Sequence, residues 1–407
     1  MEETIRELEM YKLMYYKNNP ESTKDDEIEA VKRKAEEFIQ TVLPTKIREN
    51  KNRAYDRNQK ALLLLEAAKL YNVLDDHSET AEKFLNQSVR MNPKNAEAWH
   101  ELGRVVMKRR DSEFAQSCFR IALGLNRSAE NLTSLAVSMR LVALDLPETS
   151  QAEMRTKAMD LIIEARRLES SYGPAHLAFA TGLFYCFFSN AKVELHFLDK
   201  VIENYKKALE CEQTKTDPQV YINMATCLKF MEKHDEALDC YMKAVEYDSR
   251  NEFETAEKLQ LCKSYLLKFA EAIQKKGKVK AKRMQEMLND LKKQPPVGDG
   301  LFRAKIIGTV NHEETIPVAL VGVDASGEVY GITVYNCLAN FGFVIGDTVT
   351  VAKPDFRNIE NLLIPGDIPT TVSMKWVRVG TPTQLKKNGM VLPDSVLARA
   401  VAATQTK

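Results

Sequence analysis

The sequence predicts a mainly α chain: an α-solenoid of stacked helical hairpins followed by a small C-terminal β-barrel. Three observations predict it. One spacing of small and large apolar residues appears in Ala96–Leu125 and again in Pro218–Ser249. Helical periodicity gives way to short strand-like runs near residue 294. And 407 residues with 44% apolar content are enough for two or three cored domains.

The repeats come first. Trp99, Leu102-Gly103, Val106, Ala115, Phe119 and Ala122 fall at the offsets of the tetratricopeptide repeat, a helix–turn–helix motif of about 34 residues. Small Gly103, Ala115 and Ala122 belong where two helices approach closely, and Trp99 and Phe119 fill the groove between them. Tyr221, Met224-Ala225, Leu228, Ala237, Tyr241 and Ala244 repeat the pattern around a turn at Glu232-Lys233-His234-Asp235. Weaker copies follow from Ala81, Leu85, Ser88 and Pro93 after the apolar run Ala61–Leu70. Another comes from Leu132, Leu135-Ala136, Ala158, Ile162 and Ala165 around a polar loop at Asp145–Thr156. A third comes from His176, Phe179-Ala180, Leu183, Val201, Tyr205 and Ala208, with an insertion at Ser189–Leu198. One such unit cannot bury its apolar face alone, so the copies are expected to stack.

Residues 1–60 read as an N-terminal helical cap. Met1–Asn19 and Asp25–Asn50 alternate basic and acidic residues around a stripe of Leu8, Leu13, Phe38 and Val42, with a break expected at Leu43-Pro44. The solenoid with its capping helices spans 61–293, closed by a long helix at Phe253–Gln274, the basic run Lys275–Arg283 and a helical Met284–Leu291. Gln294-Pro295-Pro296 and Gly298-Asp299-Gly300 form a linker. Strand-like runs follow at Phe302–Val310, Ile316–Val323, Val329–Tyr335, Thr348–Ala352 and Val372–Val379, with a hairpin turn at Asp324–Gly327 and a helical turn at Cys337–Phe341. This pattern predicts an OB-like β-barrel domain over 298–392, with a small sandwich or SH3-like barrel as the alternatives, and a flexible tail over 393–407.

Composition excludes several function classes. A net charge of +1 provides no global field for nucleic acid or membrane. No run of about 18 uninterrupted apolar residues predicts a membrane span, and the acidic start has no apolar leader segment. The seven cysteines are scattered without a Cys-x-x-Cys pair, as in reduced compartments, and the six histidines are dispersed. No metal, no cofactor and no enzyme activity are expected.

Stacked repeats form a concave surface lined by the first helix of each pair. The repeat spacing directs Glu97, His100, Arg104, Met107 and Lys108 inward, then Thr133, Val137 and Arg140, then Leu177, Thr181, Phe184 and Tyr185. The last repeat contributes Gln219, Ile222, Thr226, Lys229 and Phe230. A mixed face of apolar patches and cations suits a peptide ligand.

The order of repeats, capping helix, Lys276-Gly277-Lys278-Val279-Lys280-Ala281-Lys282-Arg283 and barrel resembles the tetratricopeptide repeat protein 5 family. So do Val334-Tyr335-Asn336, Ile345-Gly346-Asp347 and Val377-Arg378-Val379-Gly380-Thr381-Pro382 within the barrel. These are stress-responsive coactivators also described as readers of nascent tubulin. The resemblance implies binding at the ribosome, grip on the emerging Met-Arg-Glu N-terminus of α- or β-tubulin, and recruitment of an mRNA-decay adaptor. It implies that Arg140 meets the peptide acid and Glu254 the peptide Arg. A second acidic position falls on Gln219, a departure from the family, with Asp217 as its substitute. It implies that Lys278, Lys280 and Lys282 dock the adaptor. It also implies a nuclear role beside acetyltransferase and p53-type complexes, so both cytoplasmic and nuclear locations are expected.

Two other readings of the residues remain open. A chaperone adaptor clamping a C-terminal carboxylate would use Asn223 and Lys229. A nucleic-acid or ribosomal-RNA binder would draw on Tyr330, Phe341, Phe343, Lys353, Arg357, Trp376 and Arg378 on the barrel, half of which are expected in its core.

Overall fold

The computed structural model describes residues 2–49, 57–189, 194–295, 298, 300–313, 317–338 and 341–397. The chain folds as two compact units: Met1–Gly182 with Glu203–Thr216, and Leu183–Ile202 with Asp217–Lys407.

The first unit holds α1 (Glu2–Asn18), α2 (Lys24–Glu49), α3 (Arg57–Tyr71), α4 (Glu79–Met91), α5 (Ala96–Lys108), α6 (Ser112–Leu125), α7 (Ala129–Val142) and α8 (Glu148–Leu168). It also takes the start of α9 (Gly173–Ser189) and the end of α10 (Phe197–Leu209). Helix starts are set by side chains that accept orphan backbone N–H groups. Ser78, Asn95, Asp111 and Ser128 cap α4, α5, α6 and α7 in this way. The repeat residues then do what their sizes allow. A Cβ on Gly103 would lie 2.6 Å from the Phe119 ring, so only glycine admits that ring between α5 and α6. Leu132, Ala136, Ala158, Ile162 and Ala165 of the degenerate copy are fully buried.

The N-terminal hairpin covers the first repeat, with Leu8, Val31 and Ala35 packed on Leu70 and Leu74. Three details differ from the sequence reading. Leu13 is 38% exposed, because five residues after Leu8 it sits roughly 140° around the helix. The α2 backbone continues through Pro44 instead of breaking, since proline removes one ladder bond without obliging the helix to stop. The side chain of Val42 lies outside the described residues. The polar segment Asp145–Thr156 is mostly the solvent-facing start of α8, not a loop.

The second unit holds the remaining parts of α9 and α10, α11 (Pro218–Phe230), α12 (His234–Tyr247), α13 (Thr255–Gln274) and α14 (Ala281–Lys293). Its strands are β1 (Leu301–Val310), β2 (Val318–Val323), β3 (Val329–Val334), β4 (Thr348–Ala352), β5 (Asp355–Ile364), β6 (Thr370–Val379), β7 (Leu385–Lys387) and β8 (Met390–Val391). The order is β5-β6-β3-β2-β1-β4-β7-β8, antiparallel except for β3 with β6. β4 pairs with β1 and β5 with β6. These two strands follow one another across Lys353-Pro354, where Lys353 has φ 51°. One bent strand therefore closes the circuit, giving the OB barrel.

The sequence reading missed β5, β7 and β8. β5 is polar along most of its length and carries a register shift at Asn361, φ 55°, so neither alternation nor propensity marks it. Part of the expected helical turn at Cys337–Phe341 lies outside the described residues; at its ends Cys337 bridges to Leu397 and Phe341 N–H donates to the Leu338 carbonyl.

The expected boundary at residues 293–298 separates secondary-structure types but not cores. Leu238, Tyr241, Tyr265, Phe269, Met287, Ile307, Val321, Leu362 and Trp376 share one buried cluster. Gly331 of β3 makes this contact possible, because a Cβ there would lie 2.3 Å from the Phe269 ring.

Candidate functional site

In the first unit the faces of α3, α5, α7 and α9 are cross-linked by polar pairs. Lys69 pairs with Glu97, and Asn72 Nδ2 donates to Glu101 at 3.1 Å. His100 Nε2 lies 2.9 Å from Ser134 Oγ. Arg104 bonds Glu101 at 2.9 Å. Burial pushes against the charge on Glu101, but Arg104, His100 and Asn72 outweigh it and hold its pKa below the usual range. Lys108 is lowered to about 8 by burial and by Arg104, while its ammonium satisfies the Asn72 and Leu74 carbonyls at the end of α3.

Arg140, near the end of α7, is half-buried, and its Nη1 donates to the Ala178 carbonyl of α9 at 3.1 Å. Gly182 keeps the adjoining surface low: a Cβ there would stand 2.5 Å from Met159 Cε and 3.9 Å from Arg140 Nη1. Thr181 Oγ1 lies 3.3 Å from Tyr205 Oη.

In the second unit Tyr185 is 45% exposed, its ring set edge-on to buried Phe184. Gln219 is half-buried, and its Nε2 donates to Asn223 Oδ1 at 3.0 Å. Asp217 is the N-cap of α11, accepting from Gln219 N–H at 2.9 Å. Burial raises its pKa against the backbone bonds that favour the carboxylate. Glu254 precedes α13 with φ 52°, its side chain largely exposed and 3.7 Å from Lys258.

Five residues expected on the concave face are interior: His100, Thr133 and Phe184, with Ile222 and Phe230 in the last repeat. Ile222 is 2% exposed and Phe230 9%. Phe230 stacks edge-on to Phe187 and Tyr335. α11 packs on several sides, so positions that would be open on a terminal helix are closed. Asn223, half of the carboxylate-clamp set, is buried against Gln219.

The largest departure concerns the barrel. Trp376 and Arg378, candidates of the nucleic-acid reading, belong to the buried half and are turned to Glu232 in the α11–α12 turn. Glu232 has φ 60° and accepts from Trp376 Nε1 at 2.7 Å, Thr333 Oγ1 at 2.6 Å and Tyr335 Oη at 3.2 Å. Arg378 Nε is 3.8 Å away, and its guanidinium lies 4.4 Å from the Tyr335 ring centroid. Burial raises the Glu232 pKa, with Arg378 and the three donors opposing. Phe343 is likewise buried, while Tyr330, Phe341 and Arg357 are half-buried and Lys353 is exposed. Sequence reasoning missed Glu232 because a glutamate in a repeat turn normally faces water.

The basic run is fixed to the barrel by its glycine. Lys276–Lys278 forms a short 3-10 turn in which Gly277 has φ 61°. A Cβ on Gly277 would lie 2.2 Å from the Ile307 carbonyl, beside the β1 irregularity between Ile306 and Gly308. Lys280 and Lys282 are exposed; the side chain of Lys278 lies outside the described residues.

Comparison with known proteins agrees with this architecture. The family model described as "Tetratricopeptide repeat protein 5 OB fold domain" matches residues 278–401, and a tetratricopeptide repeat model matches 218–251. Tetratricopeptide repeat protein 5 of Bos taurus is 27% identical over 384 residues, spanning 85% of this chain and 84% of the relative. The Homo sapiens protein of that name is 26% identical over 385 residues, spanning 86% and 84%. Among solved structures, a thermophilic TPR protein of Thermus thermophilus has TM-score 0.39 and 19% identity, covering 51% of this chain and 98% of that one. The APC/C hetero-tetramer Cut9-Hcn1 has TM-score 0.43 and 12% identity, covering 63% and 46%. At that degree of likeness neither structure bears on the site.

Proposed function

We propose, on the premise that the chain belongs with tetratricopeptide repeat protein 5, that this repeat adaptor reads the Met-Arg-Glu N-terminus of nascent α- or β-tubulin at the ribosome and triggers decay of the tubulin mRNA. The observation that carries the reading is Arg140. Its guanidinium is oriented by the Ala178 carbonyl beside the low surface at Gly182, a setting in which a planar fork can take a peptide carboxylate. Glu254, exposed with Lys258 nearby, supplies the acid for the peptide Arg. Asp217 is a weaker partner, since its carboxylate already caps α11. Thr181 in the first unit and Tyr185 and Gln219 in the second are the further polar and aromatic candidates, while Ile222 and Phe230 are buried and act through packing. Lys280 and Lys282 then relay the event to the decay adaptor, from a run outside the repeat helices.

The test is site-specific crosslinking on ribosomes translating tubulin and a control message. Selective crosslinks to the tubulin chain support the reading. Equal crosslinking to both chains would sink it and leave the nuclear scaffold role as the better account.

A further inference from the structure

Lys276, Lys280, Lys282 and Arg283 are all exposed, and none has a carboxylate within ion-pair distance among the described residues. Of the lysines near it, Lys275 pairs with Glu271, Lys258 with Glu254 and Lys305 with Asp290, while Lys292 and Lys293 at the far end of α14 have no ion pair among the described residues. Three of the four occupy the N-cap and first turn of α14, a turn with no acidic residue and no side-chain cap. The helix dipole disfavours cations there. The run therefore costs helix stability, which argues against a merely solvating role.

An apolar pair stands beside it. Arg283 Nη2 donates to the Ile345 carbonyl at 3.3 Å, and Lys305 Nζ to the Gly346 carbonyl at 3.3 Å. Val344 N–H donates to Asp347 Oδ2 at 2.9 Å, and Asp347 is itself held by Lys387 and Asn388. This small scaffold fixes the loop with Val344 61% and Ile345 42% exposed.

We infer that the basic run and Val344-Ile345 form one docking surface for an acidic protein segment that sets apolar side chains beside its carboxylates. The inference rests on the reading that the run relays to a downstream protein. Unpaired cations select the acidic residues, and the loop adds a non-polar anchor that desolvates the ion pairs around it. A nucleic-acid strand would use the cations but not two aliphatic side chains. The rings in the same loop are not open for base stacking, since Phe343 is buried and Lys387 lies over both Phe341 and Phe343.

The experiment measures binding to the full chain of three labelled probes of equal charge: a synthetic glutamate peptide with interspersed leucines, the same peptide with serines for leucines, and oligouridine. The leucine peptide should bind most tightly. Val344→Ser with Ile345→Ser should weaken it about tenfold and leave the serine peptide unchanged, with the melting temperature held because both side chains face solvent. Lys280→Glu with Lys282→Glu should abolish binding of both peptides. Unchanged leucine-peptide affinity in the serine variant overturns the inference. So does tighter binding of oligouridine, which would assign the surface to nucleic acid. A Met-Arg-Glu peptide measured on the same variants separates the two readings. Its retained binding confines a failure to this surface, and its loss would place the basic run in the nascent-chain site.

Discussion

The indole N–H of Trp376 donates to the carboxylate of Glu232 at 2.7 Å across 144 residues of sequence. That bond ties the turn of the last repeat to an inward-facing strand residue of the barrel. Removing one partner of such a buried, multiply bonded carboxylate leaves several polar groups unsatisfied. Glu232→Ala should cost about 3–5 kcal/mol, read as a lowered denaturation midpoint. Glu232→Gln, which keeps the shape and an acceptor, should cost clearly less. Equal losses in the two variants would show that charge, not the bond network, holds the contact.

His234 adjoins this network and makes stability depend on pH. Burial lowers its pKa to about 4, with Asp235 opposing and Lys229 assisting. Its ring faces Trp376 and Tyr265, and Nδ1 is buried without a partner among the described residues. The folded state keeps it neutral, while the unfolded chain takes up a proton near pH 6.5. The unfolded state thus binds more protons between these values, and stability is lost as pH falls from about 6.5 towards 4. The loss is about 3 kcal/mol at most. Glu232, raised in the fold, titrates with the opposite sign and offsets part of it. Urea melts of His234→Gln should be flatter over that window than those of the parent; parallel curves would remove His234 as the source.

Arg140→Ala should abolish binding of a Met-Arg-Glu peptide while helical circular dichroism stays nearly unchanged. Arg140→Lys should rescue poorly, because an ammonium cannot reproduce two parallel bonds to a carboxylate. Titration of the peptide into each variant decides it. Undiminished affinity in the alanine variant would remove Arg140 from the site.

The small residues at the helix crossings should behave as packing residues only. Ala237 is fully buried, and Ala237→Leu should cost about 1–3 kcal/mol through overpacking. Gly103→Ala should also destabilise, since its methyl would meet the Phe119 ring. Thermal melts check both. In each case peptide binding should fall only as far as folding does.

These contrasts explain what could be read from the sequence. Gly103, Ala237 and Ala165 announce the repeats because a helix crossing tolerates only small side chains, and that constraint is local. β1 to β4 and β6 were visible as apolar runs between turns. β5 was not, because its pairing with β6 is a tertiary fact imposed on polar residues. Repeat spacing predicts the facing of Arg140, and the structure has it half-buried on α7 with Nη1 on the Ala178 carbonyl. Ile222 and Phe230 were misplaced because the repeat template assigns a facing direction without knowing what packs against it. Half of the seven barrel candidates are expected in the core, but the sequence could not say that Trp376 and Arg378 were among them, because their partner, Glu232, is distant in sequence and sits in a repeat turn.

A further consequence follows from the cluster that joins α12, α13 and α14 to the barrel strands. An ordinary repeat array can lengthen or shorten by whole units at either end. Here the last unit is committed, through Phe269 seated over Gly331 and Glu232 seated under Trp376. Gain or loss of a whole repeat is compatible with the fold only upstream of Pro218, so the array is free to vary in length from one side alone.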